Sequence, residues 1–131
     1  MLNKETTDKV LRAFYIVFNE LGFGFAEKVY ENALICEMQK MGLQCDSQLP
    51  IKVFYKQMQV GVYYADIVVE NKVILEIKAC GSLIDEHEAQ LLNYLKATEI
   101  ETGLLLNFGK EPQFRRKVFS NSNKNNPRLS A

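Results

Sequence analysis

Charged residues set inside apolar strands constrain this chain more than any other feature. The segments Tyr64-Ala65-Asp66-Ile67-Val68-Val69 and Val73-Ile74-Leu75-Glu76-Ile77-Lys78-Ala79 are apolar, β-branched runs of the kind that become buried strands. A charge placed there is costly unless it is paired, hydrogen-bonded or bound to a metal. Side chains alternate faces along a strand, so Glu76 and Lys78 point the same way. In an antiparallel pair, directly opposed residues share a face. Asp66 opposes Glu76 only if Val69 pairs with Val73, leaving Glu70, Asn71 and Lys72 as the loop. A three-residue loop usually holds one residue in the left-handed region, and Asn71 tolerates that best. A two-residue loop would instead send Asp66 to the face opposite Glu76.

Two carboxylates that close together repel, and one takes up a proton unless a cation intervenes. Magnesium suits such a pair, because it prefers oxygen ligands and commonly takes one or two carboxylates, with waters and substrate phosphates beside them. It would activate water and polarise a phosphoryl group. Lys78 would then orient the water or stabilise the developing negative charge. These residues therefore point to phosphodiester hydrolysis. The competing reading is a surface strand whose charges face water; it suits Glu70 and Lys72 better than Glu76 and Lys78, whose neighbours are apolar.

The remaining pattern supplies the scaffold. Val10, Phe14, Val17 and Leu21 repeat at helical spacing, which predicts a helix over about 7–21, stopped by Gly22. A second helix is expected over about 26–41, before Gly42. Strands are expected over about 51–55, 60–69 and 73–79, with Lys56-Gln57-Met58-Gln59 as the first turn. A third helix follows over about 85–98, with Asp85 as N-cap and Glu88 completing a capping pair. The run Gly103-Leu104-Leu105-Leu106-Asn107-Phe108 is apolar on both faces and reads as a central strand. Residues 114–119 read as an edge strand. The order ααβββαβ(β) implies an α/β (α+β) fold with a mixed sheet.

The length of 131 residues suits one domain, expected over 1–119, and the composition (47% apolar, 24% charged) is that of a globular protein. No apolar run is long enough to span a membrane, no apolar stretch of a signal peptide follows the N-terminus, and no membrane partner is expected. Three cysteines without metal-like spacing read as reduced thiols of a cytoplasmic protein. Charge is unevenly placed. Residues 1–109 hold 10 Lys/Arg against 15 Asp/Glu, a net of −5, and residues 110–131 hold 6 against 1, a net of +5. The basic end could help hold a polyanion or could be a solvated tail; residues 120–131 are polar enough to remain unfolded. His87, the only histidine, lacks the second histidine a zincin helix needs, because Leu91 stands four residues on. It either bonds a phosphate from the helix N-terminus or is simply exposed.

Asp66 with Glu76-Ile77-Lys78 resembles the D…(D/E)xK signature of the PD-(D/E)XK nuclease superfamily, with Ala65 where the superfamily often has proline. The element order is similar to that superfamily's restriction-endonuclease-like αβββαβ core, with one extra N-terminal helix and a mixed central sheet flanked by helices. Gly24-Phe25-Ala26-Glu27-Lys28-Val29-Tyr30 resembles the naming motif of the GxxExxY family, and His87–Leu95 and Gly103–Gly109 are also similar to that family, so the resemblance spans about residues 10–119. It implies a magnesium- or manganese-dependent nuclease in which Asp66, Glu76 and Glu27 bind metal and Lys78 acts beside them. Gln90 and Tyr94, four apart on one helix face, are similar to the Q-xxx-Y element of RecB-like nucleases and would contact substrate. The four cysteines of iron–sulfur relatives are missing, so no iron–sulfur cluster is expected. The implied partner is nucleic acid, DNA ahead of RNA, and a domain this small often cuts both strands as a homodimer. The alternative is a catalytically silent nucleic-acid-binding or protein-interaction domain that retains the fold.

Overall fold

A computed structural model describes residues 2–124. The chain runs α1 (Lys4–Leu21), α2 (Glu27–Lys40), β1 (Cys45–Tyr55), β2 (Met58–Val69), β3 (Val73–Lys78), α3 (Asp85–Lys96), β4 (Thr102–Phe108) and β5 (Pro112–Val118). The five strands form one mixed sheet in chain order. Only β3 and β4 run parallel, joined by the crossover through α3; the other neighbours are antiparallel.

The helices form two layers, one on each side of the sheet. Val10, Ala13 and Phe14 of α1 and Tyr30, Leu34 and Met38 of α2 pack with Ile67, Val69, Val73, Leu75 and Ile77. On the other side, Leu91, Tyr94 and Leu95 of α3 pack with Ile51, Ala65, Val68, Ile74 and Leu105. All seven residues of β4 are buried, as expected of a strand covered on both faces. Gly103 permits the close seat of α3, since a Cβ there would lie 2.7 Å from Leu91 Cδ1. No helix among the described residues is long and apolar enough to cross a membrane.

Several boundaries differ from expectation. The strand β1 starts at Cys45 rather than Ile51, because residues 45–50 are mostly exposed and carry little apolar signal. The first hairpin turn is the two-residue Lys56-Gln57, both with positive φ (48° and 70°), not four residues. The second hairpin has the expected register, with Val69 opposite Val73. Its loop holds two left-handed residues rather than one, Glu70 and Asn71, both at φ 54°. The Lys72 N–H bonds the Val69 carbonyl across them. Asp85 does not cap α3. Ile84 occupies that position, and its N–H donates to His87 Nδ1 at 3.2 Å. His87 thus closes the helix start, a role the sequence reading did not give it. Residues 120–124, expected to be unfolded, form a short 3₁₀ turn held by Asn121 N–H to Glu101 and by Lys124 Nζ to the carbonyls of Thr98 and Ile100. The remainder of that tail, 125–131, lies outside the described residues.

Candidate active site

The ladder between β2 and β3 stops after Ile67 and Leu75, while β3 stays paired with β4 through Lys78. The two strands part at this fork, and side chains replace the missing rungs. The Asp66 N–H donates to Glu76 Oε2 at 2.9 Å, and the Ile77 N–H donates to Asp66 Oδ2 at 2.8 Å. Each carboxylate therefore satisfies a backbone donor of the fork. Face alternation also breaks here: Ala65 and Val68 pack under α3, while Ile67 between them packs under α1 and α2. Gln48, which stands opposite Asp66 in the β1 register, is left-handed at φ 54°. The kink lets Asp66 address both Glu76 and the α2 side.

The electrostatics are those of two neighbouring acids taken partly out of water. Burial pushes the Glu76 carboxyl up to about 8, and the neighbouring Asp66 charge adds to the shift. The Asp66 N–H and the Lys78 ammonium oppose it only in part. Asp66 is also raised, first by burial, then by Glu31 and more weakly by Glu27, against the stabilising bonds from Ile77 and Gln48. At neutral pH the fork therefore holds a proton on Glu76 unless a cation takes its place.

The structure brings Asp66, Glu76, Lys78 and Tyr94 together. Tyr94 lies under the same acids: burial and then Glu76 and Asp66 push its hydroxyl up to about 12. Gln90 Nε2 donates to Tyr94 Oη at 2.9 Å, so the two polar residues of α3 act as a bonded unit at the rim. Glu27 stands apart, exposed at the first residue of α2, and reaches the site only through its field on Asp66. The buried acid of α2 is Glu31, one turn further on and 4% exposed. Its Oε1 accepts from Ser47 Oγ and Gln48 Nε2, both at 3.1 Å, with Lys28 Nζ at 3.4 Å. Sequence reasoning missed Glu31. The available signal was its i+4 spacing from Glu27 on the helix face that carries Leu34 and Met38. Tyr30 is a packing residue. It stacks on Phe108 (4.1 Å between centroids) and its hydroxyl donates to the Gly22 carbonyl at 2.6 Å.

The far end of β3 is clamped from the β4 side. The buried Asn107 amide accepts from the Cys80 N–H and donates to the Cys80 carbonyl, both at 3.0 Å, extending the sheet by one side-chain rung past Lys78. Gly109 sits so close that a Cβ would lie 2.7 Å from the same carbonyl.

The donor set fits a hard divalent cation. Among the described residues no cluster of three or more His, Cys, Asp or Glu is close enough to form an all-protein cage. Two carboxylates with solvent beside them match the way magnesium or manganese is held when water and phosphate complete the shell.

Comparison with known proteins bears on the fold and the family. The crystal structure of SSO0001 superposes with a TM-score of 0.56 at 18% identity, over 72% of this chain and 50% of that one. At that identity the likeness concerns the fold, and this chain spans half the length of that protein. No curated protein matches the sequence. The model of one family, described as the PD-(D/E)XK nuclease superfamily, matches residues 4–118, nearly the whole described chain, and the protein belongs to that superfamily.

Proposed function

We propose that this protein is a metal-dependent phosphodiester hydrolase acting on nucleic acid, DNA ahead of RNA, from the GxxExxY group on the RecB-like side of the superfamily. The observation that carries the reading is the pair of carboxylates at the β2–β3 fork, one of them pushed up to about 8 by burial and by the charge of the other. Asp66 and Glu76 would hold magnesium or manganese, with Glu27 assisting through water from the rim. The bound cation supplies Lewis acidity toward the phosphodiester and makes water a better nucleophile.

The chain's own residues do the rest. Glu76 would release its proton to solvent when a cation binds, leaving both carboxylates free to serve as ligands. The Lys78 ammonium, on the same face of β3 as Glu76, orients the attacking water and offsets charge that develops on the phosphoryl oxygens. Gln90 and Tyr94 form the wall against which the substrate strand lies. Glu31 holds Gln48 in place, and Gln48 in turn bonds Asp66.

A catalytically silent nucleic-acid-binding or protein-interaction domain is the alternative, favoured by the zero net charge of the chain. The test is cleavage of labelled DNA and RNA, single- and double-stranded, with magnesium or manganese, using wild type beside Glu76→Ala and Lys78→Ala. Cleavage by wild type that both variants lose supports the hydrolase. A pure wild-type protein that cuts nothing supports the silent domain.

A further inference from the structure

A groove of about 730 Å³ opens beside Tyr94, between α3 and the β1–β2 hairpin. Its chemistry differs from that of the fork. Phe54, Tyr63 and Tyr94 wall it, and Gln90, Asn93 and His87 supply polar edges. Tyr63 is half-exposed (51%), and its ring stands 5.7 Å from that of Tyr94, tilted by 44°. The charged residues of the lining are one carboxylate, Glu86, and one ammonium, Lys96, so the groove has no net positive wall. Tyr94 belongs both to this groove and to the fork, where Glu76 and Asp66 act on its hydroxyl. Tyr94 thus joins the aromatic groove to the fork.

Charge decides which polymer suits it. A double helix presents one phosphate charge per about 1.7 Å of axis and requires a basic face. The body of this chain is acidic, and four of the described basic residues that follow it are engaged within the fold. Lys117 and Arg115 lean on Glu88, Arg116 bonds Thr7 and the Leu2 carbonyl, and Lys124 bonds two carbonyls. Single strands, by contrast, expose unpaired bases that gain from stacking on aromatic side chains, a share of affinity that charge does not supply and a duplex does not offer. The groove volume is on the scale of pockets that accept small organic molecules, roughly 300–1,000 Å³.

We propose that this groove takes single-stranded nucleic acid, with an unpaired base laid on the exposed face of Tyr63 next to the fork. The proposal deepens the hydrolase reading and rests on it for the position of the scissile bond. The test is fluorescence anisotropy of the full chain with short labelled DNA or RNA single strands and the matching duplex, in EDTA so that no cleavage occurs. Variants are Tyr63→Ala, Tyr63→Phe and Phe54→Ala, with circular dichroism to confirm folding. Single strands are expected to bind more tightly than duplex, to lose about tenfold in Tyr63→Ala, and to recover in Tyr63→Phe. DNA and RNA strands binding alike would mark stacking as the main contact. Equal or tighter duplex binding, no single-strand binding, or an unchanged Tyr63→Ala would overturn the groove assignment. Cleavage that persists with any of those results leaves the hydrolase standing without the groove. Stacking-dependent binding by a protein that never cleaves leaves the groove standing without the hydrolase.

Discussion

The two ends of the β2–β3 hairpin share a register and little else. At the turn end, Val69 with Val73, Val68 with Ile74 and Ile67 with Leu75 form a dry ladder of buried aliphatic side chains. At the open end, three or so residues away, Asp66 and Glu76 replace the ladder with carboxylate bonds, and burial works against them rather than for them. The turn end sets which residues face each other. The open end uses that choice for chemistry at a cost in stability, the division expected where a strained polar site rests on a rigid apolar support.

The largest expected effect breaks the open end. Glu76→Ala or Lys78→Ala should lower cleavage by about a thousandfold, on the order of 4 kcal/mol in transition-state stabilisation at 1.36 kcal/mol per factor of ten; a loss under about tenfold in single-turnover assays would remove either residue from the chemistry. Breaking the turn end should act on stability instead. Ile74→Ala empties a fully buried position and should cost about 2–5 kcal/mol by urea denaturation. The manganese-induced rise in melting temperature should survive it. That rise, about 2.7 kcal/mol of stabilisation at a hundredfold excess over Kd, should vanish in Asp66→Ala.

A pH series sharpens the contrast further. The folded chain keeps the Glu76 proton up to about pH 8, whereas the unfolded chain releases it near 4.5. The folded form thus binds more protons across that window, and metal-free stability should fall as pH rises through it. The fall should amount to a few kcal/mol at 1.36 kcal/mol per pKa unit, and Glu76→Gln should flatten it in thermal melts. The smallest effect is expected at the turn. Asn71→Val places a β-branched residue at φ 54° and should cost about 1–2 kcal/mol while leaving pH dependence unchanged.

Much of this contrast was legible in the residues. Asp66, Glu76 and Lys78 stand out because charges interrupt apolar runs, and the loop length fixes their pairing. The helices announce themselves through periodicity, and Gly22 marks the first stop with φ 67°. What stayed hidden depends on distant partners. Glu31 looks like any helical glutamate until Ser47 and Gln48, sixteen and seventeen residues on, arrive to bond it. The polar start of β1 carries no alternation, since residues 47–50 are stabilised by pairing with β2 rather than by burial. The polar segment at 120–124 likewise gains order from carbonyls and a carboxylate near the end of α3, which composition does not reveal.

The fork also changes how a sequence of this kind should be read across evolution. Asp66 and Glu76 cover amide groups that the parting strands leave without rungs, so a descendant that abandoned catalysis would still be selected to keep an acceptor at both positions. Lys78 donates no hydrogen bond within the fork and touches it only through its charge on Glu76. Drift would therefore erase the lysine first. In a set of such chains the acids record the architecture, and the lysine records whether the chemistry is still in use.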